Sequence, residues 1–63
     1  MLEELRAKIA SDMKQAVIIN IESFMRKKLS RKDVETNISN ILTIFTITMR
    51  EINKAQERLN NDL

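Results

Sequence analysis

The chain has 63 residues, of which 11 are basic and 9 acidic, for a formal net charge of +2, and it contains no Cys, His, Gly or Pro. This composition excludes disulfides and the usual zinc, haem and iron–sulfur sites, and a chain of this length has room for one small domain with a thin stability margin. Tight β-turns and Gly-rich phosphate loops are disfavoured, whereas the abundant Leu, Ile, Met, Ala, Glu, Lys, Arg and Gln favour helix.

The first half of the chain carries apolar residues at steps of three or four, with charged residues at other positions. This spacing is typical of one face of a helix. It predicts a first helix from about residue 2 to residue 28. The apolar positions are Leu2, Leu5, Ile9, Met13, Val17, Ile21, Phe24 and Met25.

The apolar spacing breaks after Leu29, because the next apolar residue is Val34 and the charged residues 31–33 lie between them. A helix start is encoded at the same place. Ser30 is a suitable N-cap, Asp33 lies three residues later as in a capping box, and Leu29 with Val34 could form a hydrophobic staple. These features predict a turn at about residues 29–30 and a new helix from about residue 31.

The second half repeats the helical spacing and predicts a second helix from about residue 31 to residue 60. A strand over Leu42–Thr48 is the alternative, because Ile and Thr are β-branched. Strict alternation leaves no purely apolar face there, so helix is favoured. The stripe consists of Val34, Ile38, Ile41, Leu42, Phe45, Met49, Ile52, Ala55, Leu59 and Leu63.

Two architectures fit these elements. A single uninterrupted helix would be about 95 Å long, and no Pro forbids it. Loss of the apolar phase after Leu29 favours two helices, and a short connection makes long helices antiparallel neighbours. The predicted fold class is therefore all-α: an antiparallel hairpin of two long helices.

The apolar surface is wider than one hairpin can bury. Ile18, Ile19, Ile44 and Ile47 lie outside the main stripes, and burying each side chain would contribute roughly 1.5–3 kcal/mol. We therefore expect a homo-oligomeric bundle, most simply a four-helix bundle dimer. The predicted oligomer interface comprises Val17, Ile18, Ile19, Ile21, Phe24, Ile41, Leu42, Ile44, Phe45, Ile47 and Met49.

Asn20 and Asn40 lie within or beside the apolar segments. A buried Asn can fix register and oligomeric state in a coiled coil, at a cost in stability. The alternative is that both side chains lie at helix edges and contact water.

Five cations lie within the seven residues 26–32, which leaves a formal charge of −3 for the rest of the chain. A dimer of antiparallel hairpins would place each basic turn near the acidic chain ends of the other copy. The cluster could contact an anionic partner, or it could simply complement the dipole of the first helix and remain solvated. The candidate contacts are Arg26, Lys27, Lys28, Arg31 and Lys32.

No residue pattern indicates catalysis. His, Cys and Gly motifs are missing, and the carboxylate pairs Glu3-Glu4 and Asp33-Glu35 lie at helix starts, where the helix dipole favours them. We therefore expect a non-enzymatic interaction or regulatory protein with no cofactor and no metal, binding itself and another protein. Nucleic-acid or phosphate-ligand binding by the basic turn is the alternative.

A membrane-active helical peptide is a second alternative. It is disfavoured because acidic residues are almost as frequent as basic ones, whereas interfacial helices favour Lys and Arg on the polar face. The longest uncharged run, Thr36–Met49, has 14 residues, and a spanning helix needs about 20 apolar ones. The N-terminus lacks a signal-peptide pattern, so a cytoplasmic location is expected.

Overall fold

The computed structural model describes Leu2–Asp62, and these residues form two α-helices joined by a short loop. Helix α1 spans Leu2–Met25 and helix α2 spans Arg31–Asp62. The two helices pack against each other as an antiparallel hairpin. The predicted all-α hairpin is confirmed, and both the strand over Leu42–Thr48 and the single uninterrupted helix are excluded.

Helix α1 ends at Met25, three residues before the predicted end at Lys28. The chain leaves the helix through a Schellman motif, in which the Lys28 N–H donates to the Ser23 carbonyl at 2.8 Å and the Lys27 N–H donates to the Phe24 carbonyl at 2.9 Å. Lys27 adopts the left-handed conformation with φ of 60°. Glycine usually occupies this position. Because the chain contains no glycine, its composition did not indicate where α1 ends.

Helix α2 begins as predicted. The Ser30 hydroxyl oxygen accepts a hydrogen bond from the Asp33 N–H at 3.1 Å, and the Ser30 carbonyl accepts from the Val34 N–H at 3.0 Å. The N-cap is therefore confirmed. Helix α2 continues to Asp62, two residues beyond the predicted end at residue 60.

The Thr-rich middle of α2 is helical although its residues favour strands. Thr43 Oγ1 donates to the Ser39 carbonyl at 3.0 Å, and Thr46 Oγ1 donates to the Leu42 carbonyl at 2.9 Å. These bonds to the preceding turn satisfy the hydroxyls within the helix. The β-branched segment can therefore lie beside apolar surface while remaining helical.

Two side-chain hydrogen bonds between the helices define their register. Arg6 Nη2 donates to Asn53 Oδ1 at 2.9 Å near the open end, and Asn37 Nδ2 donates to Asn20 Oδ1 at 2.9 Å nearer the loop. In this register the start of α1 lies opposite residues 55–57 of α2. Residues 57–62 therefore reach the open end and pass beyond it.

The hairpin is a flat layer of 52 × 18 × 7 Å. Among the described residues, only Val34 at 9% exposure and Ile52 at 7% exposure are buried, and they lie towards opposite ends of the layer. Between them the seam contains half-buried side chains such as Ile9, Met13 and Phe45. A single chain thus has one narrow apolar seam and two open faces.

We predict that Lys27→Gly stabilises the protein. A non-glycine residue in the left-handed conformation costs about 1–2 kcal/mol, and glycine removes this cost while adding entropy to the unfolded chain. The expected net gain is about 0.5–1 kcal/mol in the free energy of unfolding. Chemical denaturation at fixed protein concentration measures it. Lys28→Gly is the control, and equal stabilisation by both variants would contradict the assignment to Lys27.

Candidate interaction surface

The two open faces of the hairpin carry two different apolar grooves, and Met13 lies in the seam between them. Residues 12 and 14 flank Met13 and point about 200° apart, because successive residues of a helix turn by about 100°. The Ile44 groove is lined by Ile9, Asp12, Met13, Ile41, Ile44, Phe45 and Thr48. The Leu42 groove is lined by Ala10, Met13, Lys14, Val17, Ile18, Ile38 and Leu42.

The Ile44 groove belongs to a largely apolar face that extends from the open end of the hairpin to about Ile19 on α1 and Ile41 on α2. On α2, Ile41, Ile44, Thr48, Ala55 and Leu59 follow one another at steps of three, four, seven and four, so they share one side of the helix. On α1, Leu5, Asp12, Ala16 and Ile19 do so at steps of seven, four and three. Leu5, Ile19, Ile44 and Leu59 are exposed, with Ile44 at 64% and Ile19 at 60%. We call this surface the Ile44 face.

The opposite surface, the Leu42 face, is apolar mainly in the half next to the loop. Ala10, Val17, Ile21 and Phe24 share one side of α1 at steps of seven, four and three. Ile21, Phe24 and Leu42 are exposed. Beyond Ala10 this side of α1 carries Arg6, which is hydrogen-bonded to Asn53.

The eleven residues predicted to form one oligomer interface do not lie on one surface. Ile41 and Ile44 line one groove, whereas Val17 and Leu42 line the other. Six of the eleven are exposed: Ile19, Ile21, Phe24, Leu42, Ile44 and Ile47. The other five are half-buried: Val17, Ile18, Ile41, Phe45 and Met49.

The four isoleucines outside the main stripes differ in their exposure to water. Ile19, Ile44 and Ile47 are exposed, as their positions predict. Ile18 is half-buried, because it lines the Leu42 groove beside Val17. Three of the four therefore leave apolar surface open to water in a single chain.

The five cations of residues 26–32 are exposed at one end of the hairpin, three of them in the loop and two, Arg31 and Lys32, in the first turn of α2. We call this cluster the basic loop. Arg31 Nε lies 3.0 Å from Glu35 Oε1. The other four belong to none of the ion pairs found within Leu2–Asp62: Arg26, Lys27, Lys28 and Lys32. Met25, at 74% exposure, and Phe24 lie directly beside them, so the loop combines free positive charge with apolar surface.

Asn20 joins the helices and Asn40 does not. Asn20 Nδ2 donates to the Ala16 carbonyl at 2.8 Å, while Asn20 Oδ1 accepts from Asn37. Asn40 is exposed. Sequence reasoning missed Asn37 and Asn53, because two polar residues on different helices can be matched only after the register is known.

Leu2–Asp62 contains no group of three or more Asp, Glu, His or Cys side chains placed to hold a metal ion. Neither described helix is long and apolar enough to cross a membrane.

Comparison with known proteins finds no relative. No protein-family model, no curated protein and no solved structure matches this chain.

We predict that Asn20 and Asn37 are energetically coupled. A double-mutant cycle with both residues changed to Ala should give a coupling of about 0.5–1 kcal/mol in the free energy of unfolding, the usual net value of one hydrogen bond. Denaturant titration of the four proteins measures it. The matched cycle pairs Asn20→Ala with Asn40→Ala and should give none, so equal coupling in both cycles would contradict the assigned contact.

Proposed function

We propose that this chain is a small non-enzymatic interaction protein that self-associates through its apolar helix faces into a helical bundle and binds another macromolecule. We place this activity in the cytoplasm. One observation supports the proposal above all: within residues 2–62, two buried apolar residues, Val34 and Ile52, contrast with nine exposed large ones. The exposed residues are Leu5, Ile19, Ile21, Phe24, Met25, Leu42, Ile44, Ile47 and Leu59.

The energetic reason is the size of the chain. A helical hairpin of this length buries too little apolar surface to offset the entropy of ordering its backbone, and oligomerisation is one of the common remedies. Each exposed isoleucine would contribute roughly 1.5–3 kcal/mol on burial. Covering three or four of them equals the whole stability of many small domains.

We predict that Ile44→Glu disrupts the assembly. Glu at this position would either bury an unpaired carboxylate in the interface or prevent another copy from covering the Ile44 face. Sedimentation velocity should show a shift to monomer, and circular dichroism should show reduced helicity. Thr43→Glu is the matched control, because Thr43 is exposed and lines neither the Ile44 groove nor the Leu42 groove.

A parent protein that stays monomeric and fully helical at micromolar concentration would overturn self-association. An Ile44→Glu variant that assembles like the parent would remove Ile44 from the interface.

Nucleic-acid binding through the basic loop is the second candidate function. Four cations of the loop lack an ion-pair partner among the described residues, and Phe24 is exposed next to them. Clustered cations bind phosphates without sequence preference, and an exposed aromatic ring can stack on a base.

We predict that a variant with Arg26, Lys27, Arg31 and Lys32 changed to Ala loses affinity for a single-stranded oligonucleotide. The slope of log K against log salt should also become shallower, because fewer counterions are released. Fluorescence anisotropy across a salt series measures both quantities.

The matched control removes four cations elsewhere: Lys14, Arg50, Lys54 and Arg58. It has the same net charge, so weaker binding by the loop variant alone would locate the site. Parent-like binding by the loop variant would eliminate this candidate.

A further inference from the structure

We infer that a second copy of this chain covers the Ile44 face, with the two hairpins antiparallel and their basic loops at opposite ends. This inference rests on the proposed self-association. It adds the face used, the orientation of the copies and the segments that meet.

One chain exposes more surface than a compact monomer would, and the excess is close to the area that one partner would bury. The chain exposes 5238 Å², whereas a compact monomer of its mass would expose about 4,200 Å². The excess is about 1,000 Å², and a stable interface of standard size buries about 800 Å² per partner. One copy packed on one face is therefore sufficient.

The distribution of apolar residues selects the face. The Ile44 face has exposed apolar side chains at Leu5 and Leu59 towards the open end and at Ile19 and Ile44 in the rest of the hairpin. The Leu42 face is interrupted by the Arg6–Asn53 hydrogen bond in the half away from the loop. The Ile44 face therefore has exposed apolar side chains in both halves of the hairpin, with Asp12 and Asn37 as polar positions on it, whereas those of the Leu42 face lie in the half next to the loop.

The spacing on α1 is symmetric, as an antiparallel dimer requires. Leu5 and Ile19 lie seven residues on either side of Asp12. A two-fold axis perpendicular to the helices near Asp12 places α1 against α1 of the second copy, so each Leu5 meets an Ile19. Asp12 Oδ1 lies 2.7 Å from Lys8 Nζ, and this pair offsets the repulsion between two carboxylates near the axis.

The same axis brings opposite charges together at the ends. Residues 57–62 of α2, which pass beyond α1, would lie beside the basic loop of the second copy. Glu57 and Asp62 belong to none of the ion pairs found within the described residues. A parallel dimer would instead place the two basic loops side by side. Because exposed ion pairs are individually weak, charge selects the orientation while apolar contact holds the dimer.

Thiol cross-linking tests the orientation, since the chain contains no native Cys. Lys28→Cys and Asp62→Cys proteins are mixed and treated with a short bismaleimide. The mixed dimer should cross-link, whereas Lys28→Cys alone should not, because the loops lie at opposite ends of a layer 52 Å long. Cross-linking of Lys28→Cys to itself, or an assembly with no mixed product, would overturn the antiparallel arrangement.

A matched pair of substitutions tests the face. Ile19 lies on the Ile44 face and Ile21 on the Leu42 face, and both are exposed. Ile19→Glu should weaken dimerisation by at least about 100-fold, because a two-fold interface contains the change twice, while Ile21→Glu should leave the dissociation constant within about threefold. The opposite order would overturn the assignment to the Ile44 face.

Sedimentation equilibrium of the parent protein distinguishes failure of the proposed self-association from failure of the proposed dimer geometry. A monomeric parent removes the proposed self-association and this inference with it. A parent that assembles, but fails the cross-linking or substitution test, removes only the stated geometry.

Discussion

A pair of helices can bury only the line along which they touch. In this hairpin that line is a seam of half-buried side chains with Val34 and Ile52 near its two ends. Every other apolar residue between positions 2 and 62 remains partly or fully open to water. The packing limit of a two-helix layer, more than any individual residue, therefore accounts for the exposed apolar surface of this hairpin.

The seam itself has a defined register although it has almost no core. Hydrogen bonds of Asn20 with Asn37 and of Arg6 with Asn53 connect the two helices at two positions along the seam. Each bond contributes little to stability. A slide along the seam would exchange both bonds for hydrogen bonds to water, so together they favour the observed register modestly.

Local chemistry made much of the fold predictable. The Ser30 cap and the loss of apolar spacing after Leu29 located the start of α2 correctly. The end of α1 could not be predicted in the same way, because Arg26-Lys27-Lys28 are all good helix formers and Lys27 takes a conformation that composition associates with glycine.

Much of the exposed apolar surface was predictable from the sequence, but its arrangement on the two faces of the hairpin was not. The excess of isoleucine could be seen in the sequence, and Ile19, Ile44 and Ile47 are exposed in the structure. The division of the apolar residues between the two faces depends on the rotation of each helix about its own axis. This rotation places Ile41 and Leu42 in opposite grooves. The spacing of apolar residues in the sequence does not specify this rotation.

The left-handed Lys27 has a consequence for how firmly the chain is folded back. If residues 26–30 all took up helical backbone angles, α1 would run on into α2 and the seam within the chain would be lost. The conformational cost of about 1–2 kcal/mol at Lys27 narrows the free-energy gap between the closed hairpin and that continuous helix. The left-handed angle at Lys27 and the N-cap at Ser30 therefore act together to keep the seam within one chain.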